Sequence, residues 1–163
     1  MTSQLETLTH RHVLTLPTLP SAVRLARETA EKALVEWGIG LRHPAVDPAL
    51  LILGELVTNS VRHAAVLSPQ LTVIYAAGAD CLAFAVHDRH PHQPALYGSG
   101  TGSGTGAGTG GLATVMELTH GLGGTAVVRA DADGQGKSIW ITLPLGSGRK
   151  TANGQPAQGS SPP

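Results

Sequence analysis

From Gly98 to Gly111 the chain alternates glycine with serine, threonine and alanine, placing eight glycines in fourteen residues. Glycine loses more backbone freedom on ordering than any other residue, so no helix or strand is expected across this stretch. The core must therefore be built from the segments on either side of it. The run itself reads as a long mobile loop, a length that compact domains tolerate mainly where the loop has a function.

Before the run, the sequence is punctuated clearly. His12 to Leu16, stopped by Pro17, reads as a short edge strand. Ser21 stands where an N-cap is expected, and Val23, Leu25, Ala26, Ala30, Ala33, Leu34 and Trp37 give a helical pattern from Ala22 to Trp37, closed by Gly38 and Gly40. Asp47-Pro48 opens a second helix that ends before Ser68-Pro69. Two apolar runs, Leu71 to Ala77 and Cys81 to His87, are joined by the hairpin-sized gap Gly78-Ala79-Asp80. Beyond the glycine run, Leu112 to His120 resumes a short helix, and the strands Thr125 to Ala130 and Ser138 to Leu143 flank a turn at 131–136.

Strand, helix, helix, hairpin, glycine loop, helix, hairpin is not a βαβ alternation. It predicts an α+β fold, a two-layer α/β sandwich with a mixed, mostly antiparallel sheet and helices on one face. Residues 1–10 are expected to be flexible, 11–145 to form one domain, and 146–163, composed of Gly, Ser, Pro and Gln, to be a disordered tail.

The second helix carries the polar groups that need explaining. Leu50, Leu53, Val57, Val61 and Ala64 recur every three or four residues and mark a buried face. Glu55, Asn59 and His63 follow a spacing of four, with Arg62 beside them. At about 100° per residue, steps of four drift by only about 40°, so these side chains line a second stripe.

Composition removes several classes of function. Eleven basic residues balance eleven acidic ones with no basic run, so the electrostatic footprint of a nucleic-acid binder is missing. The single Cys81 excludes an internal disulfide and reads as a structural thiol in a strand. No apolar stretch approaches the roughly 20 residues of a membrane span, and the polar start lacks a signal peptide's charged and apolar regions, so no membrane association and a cytoplasmic location are expected. His87, His90 and His92 flank a proline-broken segment without a cysteine partner and read as exposed histidines rather than metal ligands.

Three glycine-bearing patterns compete for the chemistry. Gly136-Lys137-Ser138 is like the end of a P-loop, but the required earlier glycine is Asp131 and a strand follows instead of a helix. Gly106-x-Gly108-x-x-Gly111 matches a dinucleotide fingerprint only because the run alternates, and no strand directly precedes it. The third pattern joins Glu55-x-x-x-Asn59 on a helix, Asp88 at a strand end, Gly106 to Leu112 opening a helix, and Gly136-Lys137-Ser138 before the last strand.

That third combination resembles the GHKL ATPase superfamily, the Bergerat ATP-binding fold, over roughly residues 12 to 145. Within it, Glu55 to His63 looks most like the box of bacterial anti-sigma factor serine/threonine kinases. The resemblance implies ATP and Mg2+ as ligands. It gives Asn59 the metal, through an amide oxygen suited to a magnesium that keeps waters and phosphate oxygens. It makes Glu55 the catalytic base toward a serine hydroxyl or a water. Asp88 would accept from the adenine amino group, and Lys137 and Ser138 would stand near the nucleotide from the sheet side. The resemblance further implies that Gly106, Gly108, Gly110, Gly111 and Leu112 form the end of an ATP lid, residues 98–111, whose amides cradle phosphates at a helix start. Of Arg62 and His63, the further nucleotide-binding candidates, one would help position phosphate and the other would face solvent. Where gyrase-like members have Asp-x-Gly-x-Gly, this chain has Asp88-Arg89-His90-Pro91-His92.

The implied activity is a kinase that binds a sigma factor and phosphorylates an anti-anti-sigma (STAS-type) protein, with a homodimer as the assembly the family suggests. Two alternatives remain open at this point: a nucleotide-dependent regulatory binding module without phosphotransfer, and a histidine-kinase-type ATPase domain.

Overall fold

The computed structural model describes residues 8–91 and 111–146. Its elements run β1 (His10–Pro17), α1 (Ser21–Glu36), α2 (Val46–His63), β2 (Gln70–Ala77), β3 (Cys81–Asp88), α3 (Gly111–Gly121), β4 (Thr125–Ala130) and β5 (Lys137–Pro144). The strands form one five-stranded sheet in the order β1-β2-β3-β5-β4, and every neighbouring pair is antiparallel. The mostly antiparallel sheet expected from the sequence is thus present, with no parallel pair among the described residues. The first strand is an edge strand, as its terminal proline requires.

Alternation along the strands separates the two faces of the sheet. Leu71, Val73 and Tyr75 of β2, Leu82, Phe84 and Val86 of β3, and Ile139, Ile141 and Leu143 of β5 are buried and share a core with the helices. The Tyr75 hydroxyl donates to the Ala26 carbonyl of α1 at 2.7 Å, which fixes this as the helix-bearing face, and burial pushes the phenol well above its usual range. Across the layer α1 lies over β1 and β2, α2 over β3, and α3 over β4 and β5, with α2 touching both other helices.

α2 is the central helix, and one side of its sequence is apolar. Ala49, Leu50, Ile52, Leu53, Leu56 and Val57 are all buried. Each fully buried large aliphatic is worth about 1.5–3 kcal/mol, so this face alone anchors the helix to the sheet. α1 instead buries Ala22, Ala26, Ala30 and Ala33, small residues that permit close approach. Its edge is reinforced by His10, which opens β1 and stacks on Trp37 at 5.5 Å.

The helix starts differ from the expected ones. Ser21 is already helical, with Pro20 at the cap position and no side-chain cap bond. α2 likewise begins at Val46, so Asp47 lies in the first turn and caps nothing. There the preceding turn is held from outside the helix: the amide of Ala45 donates to His43 Nδ1, and His43 Nε2 pairs with the Leu145 carbonyl at 2.8 Å. After α3, Gly123 takes φ +73, and the amides of Gly123 and Gly124 bond back to His120 and Thr119, a helix stop that a left-handed residue makes possible.

Candidate functional site

Asp88 ends β3 on the helix side of the sheet, and antiparallel pairing sets Lys137, the first residue of β5, directly across from it. Both residues are almost sealed from solvent, at 2% and 4% exposure. Lys137 Nζ donates to Asp88 Oδ1 at 2.7 Å, Ser60 Oγ of α2 donates to Oδ2 at 2.7 Å, and the amide of His90 donates to Oδ1 at 3.0 Å. Nζ also reaches the His90 carbonyl at 3.4 Å. Buried charges survive only when paired and hydrogen-bonded, and this carboxylate receives three donors.

The strand end is braced from the opposite face of the sheet. His87 Nε2 contacts both oxygens of Asp131, at 2.8 and 3.1 Å, and Arg89 bridges Asp131 at 3.1 Å and Asp133 at 3.0 Å. These contacts tie the 131–136 turn to the end of β3. The Gln135 amide, then Arg89, holds the Asp133 carboxyl below its usual range. Gly136 completes the arrangement, because a Cβ there would overlap the Asp131 carboxylate and the Asp88 carbonyl. Lys137 is therefore delivered to Asp88 by a turn that only glycine can close.

Glu55 and Asn59, about one turn apart on α2, occupy a different environment. Both are half-buried, and neither makes a hydrogen bond or ion pair with any described residue. Gly54 faces Arg27 and Val23 of α1. At about 100° per residue, Glu55 and Asn59 lie about 100° and 140° round from it. They are thus on the flank turned away from α1 and toward α3, because α1 and α3 lie over opposite edges of the same sheet face. Ser60, next to Asn59 in sequence, reaches Asp88, so the two groups of residues adjoin.

The other expected site residues divide. Arg62 and His63 are exposed on the last turn of α2. Gly111 is the first residue of α3, and Leu112 packs partly buried against the core. Gly106, Gly108 and Gly110, with the rest of the lid, lie outside the described residues, as does the tail beyond Gly146. Lys137 and Ser138 part company: Lys137 meets Asp88, whereas Ser138 pairs across from His87 on the sheet face away from the helices.

Sequence reasoning missed Ser60, the ion pairing of Lys137, and the His87–Asp131 contact, having taken His87 as an exposed histidine. A signal for Ser60 existed: it is a polar residue at helical spacing between Val57 and Ala64 on the apolar face. Among the described residues, no group of His, Cys, Asp or Glu side chains could hold a metal by itself.

Residues 46–147, from the start of α2 to just past β5, match the model of the histidine kinase-, DNA gyrase B-, and HSP90-like ATPases. The chain belongs to this ATPase family. Its five-stranded antiparallel sheet under three helices agrees with the Bergerat fold that the four boxes suggested. A comparison with curated proteins gives no match. Among solved structures, the histidine kinase domain of a blue-light activated histidine kinase from Erythrobacter litoralis EL346 is similar at 20% identity, with a TM-score of 0.39. That likeness covers 61% of this chain and 44% of the other, so the chain spans less than half the length of the structure it matches.

The donor set of this ATPase domain fits its family's nucleotide. Asn59 offers an amide oxygen that no described residue engages, a hard ligand of the kind magnesium takes. Glu55 offers a carboxylate one turn away. Asp88, with about four lone-pair sites and three donors, has one left for an amino group. No described helix is long and apolar enough to cross a membrane.

Proposed function

We propose that this ATPase-family chain is an ATP-binding serine/threonine kinase of the anti-sigma factor type, which holds a sigma factor and phosphorylates an anti-anti-sigma protein of STAS type. The observation that carries the proposal is the pairing of Glu55 and Asn59: half-buried, one turn apart, and unengaged by any described residue. A carboxylate and an amide that share one flank of a helix and that no described residue engages keep their oxygens available to a ligand, which supports a nucleotide and metal site there. The box Glu55 to His63 adds its resemblance to the anti-sigma kinases.

Asn59 would hold Mg2+ by its amide oxygen, and the ion would neutralise charge on the phosphate oxygens. Asp88 would accept from the adenine amino group. Glu55 would take the proton from a serine or threonine hydroxyl as that oxygen bonds to the terminal phosphorus and the bond to the bridging oxygen breaks, leaving ADP. A general base of this kind typically supplies about 10²–10⁴-fold in rate.

Incubation with terminally labelled ATP and a candidate antagonist is expected to label the antagonist on an acid-stable phosphoserine or phosphothreonine. The family match equally supports a second reading, a histidine-kinase-type ATPase domain. Acid-labile label on histidine would select that reading. Nucleotide binding and partner capture with no transfer to any substrate would identify a regulatory binding module and remove the kinase.

A further inference from the structure

The Asp88–Lys137 pair does more than the single carboxylate that adenine recognition requires. A lysine is a costly way to fill a buried position, since its ammonium must be desolvated and then repaid by its partners. Here it is placed by strand register, by the latch of His87 and Arg89 on the turn that precedes it, and by the glycine at 136. A methionine or leucine would fill the volume without the charge. What the charge adds is a donor beside an acceptor.

The hydrogen-bond inventory shows what remains open. The ammonium has three N–H groups, of which one bonds Asp88 Oδ1 and one lies toward the His90 carbonyl, leaving one that no described residue engages. Among the described residues the carboxylate receives two donors on Oδ1 and one on Oδ2, leaving an acceptor site on Oδ2. One donor and one acceptor, side by side, complement an edge that carries one acceptor and one donor. The Watson–Crick edge of adenine is such an edge, with N1 as acceptor and the amino group as donor. Hypoxanthine or guanine in the same orientation would set its carbonyl against Asp88 and its N1–H against Lys137.

We infer that Lys137 is a base-specifying residue, whose free N–H donates to adenine N1 while Asp88 accepts from the amino group. This rests on the reading of the chain as an adenine-nucleotide binder, and it adds to it which atom of the base is read and by which residue. A hydrogen bond from a charged donor in a buried setting is worth about ten- to a hundredfold in affinity.

The test is calorimetric titration of the full chain with ADP and with 1-deaza-ADP, which lacks only the N1 acceptor. Wild type is expected to bind 1-deaza-ADP about ten- to a hundredfold more weakly than ADP, and Lys137→Met to bind the two within about threefold of each other. Lys137→Met strips a buried carboxylate of its counter-charge and lowers stability, so the wild-type ratio is measured first and by itself is able to refute the inference. Equal affinities in wild type overturn the inference while leaving adenine-nucleotide binding intact. So does a ratio that persists unchanged in a folded Lys137→Met, because another group then reads N1. Absence of ADP binding in wild type is a separate result, and it removes the nucleotide reading and this inference together.

Discussion

Asp88 and Glu55 are both carboxylates under the same helix layer, yet they are treated in opposite ways. Asp88 is buried, receives three donors and faces a lysine across a strand pair. Glu55 is half-buried and engages no described residue, and its neighbour Asn59 is the same. The first arrangement ties β3, β5 and α2 together at one corner. The second adds no hydrogen bond among the described residues. Satisfied polar groups are where removal costs stability, and open ones are where removal costs function alone. The site thus combines a rigid, charged floor at Asp88 and Lys137 with an uncommitted stripe on α2.

The contrast is broken most severely through Glu55. Glu55→Gln is expected to lower phosphotransfer to an antagonist by about 10²–10⁴-fold while urea unfolding stays within about 0.5 kcal/mol of wild type. A large loss of stability would show that Glu55 belongs with Asp88 after all. Lys137→Met should behave in the reverse manner, destabilising the fold by about 3–5 kcal/mol because it leaves a buried carboxylate unpaired. Adding Asp88→Leu to Lys137→Met should recover part of that loss, since the unpaired charge is gone.

Smaller effects sharpen the same division. Gly136→Ala is expected to cost about 1–3 kcal/mol by thermal or urea unfolding, because its Cβ has no room between Asp131 and the Asp88 carbonyl. Asn59→Ala should weaken magnesium-dependent ATP binding by about tenfold, roughly 1.4 kcal/mol, with unfolding unchanged. The smallest effect is that of Asp133, whose exposed carboxyl is held below its usual value first by the Gln135 amide and then by Arg89. A lowered folded-state pKa gives stability that is present above the unfolded value and lost as pH falls through the folded one. Asp133→Asn is therefore expected to lower stability slightly at neutral pH and to flatten the acid limb of a pH–stability curve, the two proteins converging as pH falls through the folded-state value.

Much of the fold is legible in one dimension because its signals are local. The strands at 71–77 and 81–87, the helix at 112–120 and the last hairpin follow from apolar runs and turn residues, and each appears within one or two residues of its expected place. Capping failed at Ser21 and Asp47 because the turns before α1 and α2 are closed by backbone bonds and by His43, a side chain that reaches the far end of the domain. The stripe of Glu55 and Asn59 is equally local, set by the helical period. Asp88 and Lys137 are not, since nothing local says that β5 skips past β4 to lie beside β3. Only that neighbour order turns a strand-end aspartate and a strand-start lysine into an ion pair. It also puts Ser138 on the other face, away from Asp88.

The most direct measurement is isothermal titration of the full chain with ATP, with and without magnesium, for wild type and Asn59→Ala. Saturable binding of one ATP per chain that tightens with magnesium in wild type, and tightens far less in Asn59→Ala, is the expected result. Equal magnesium dependence in both proteins, or no ATP binding by wild type, would contradict a nucleotide site built on the open stripe of α2.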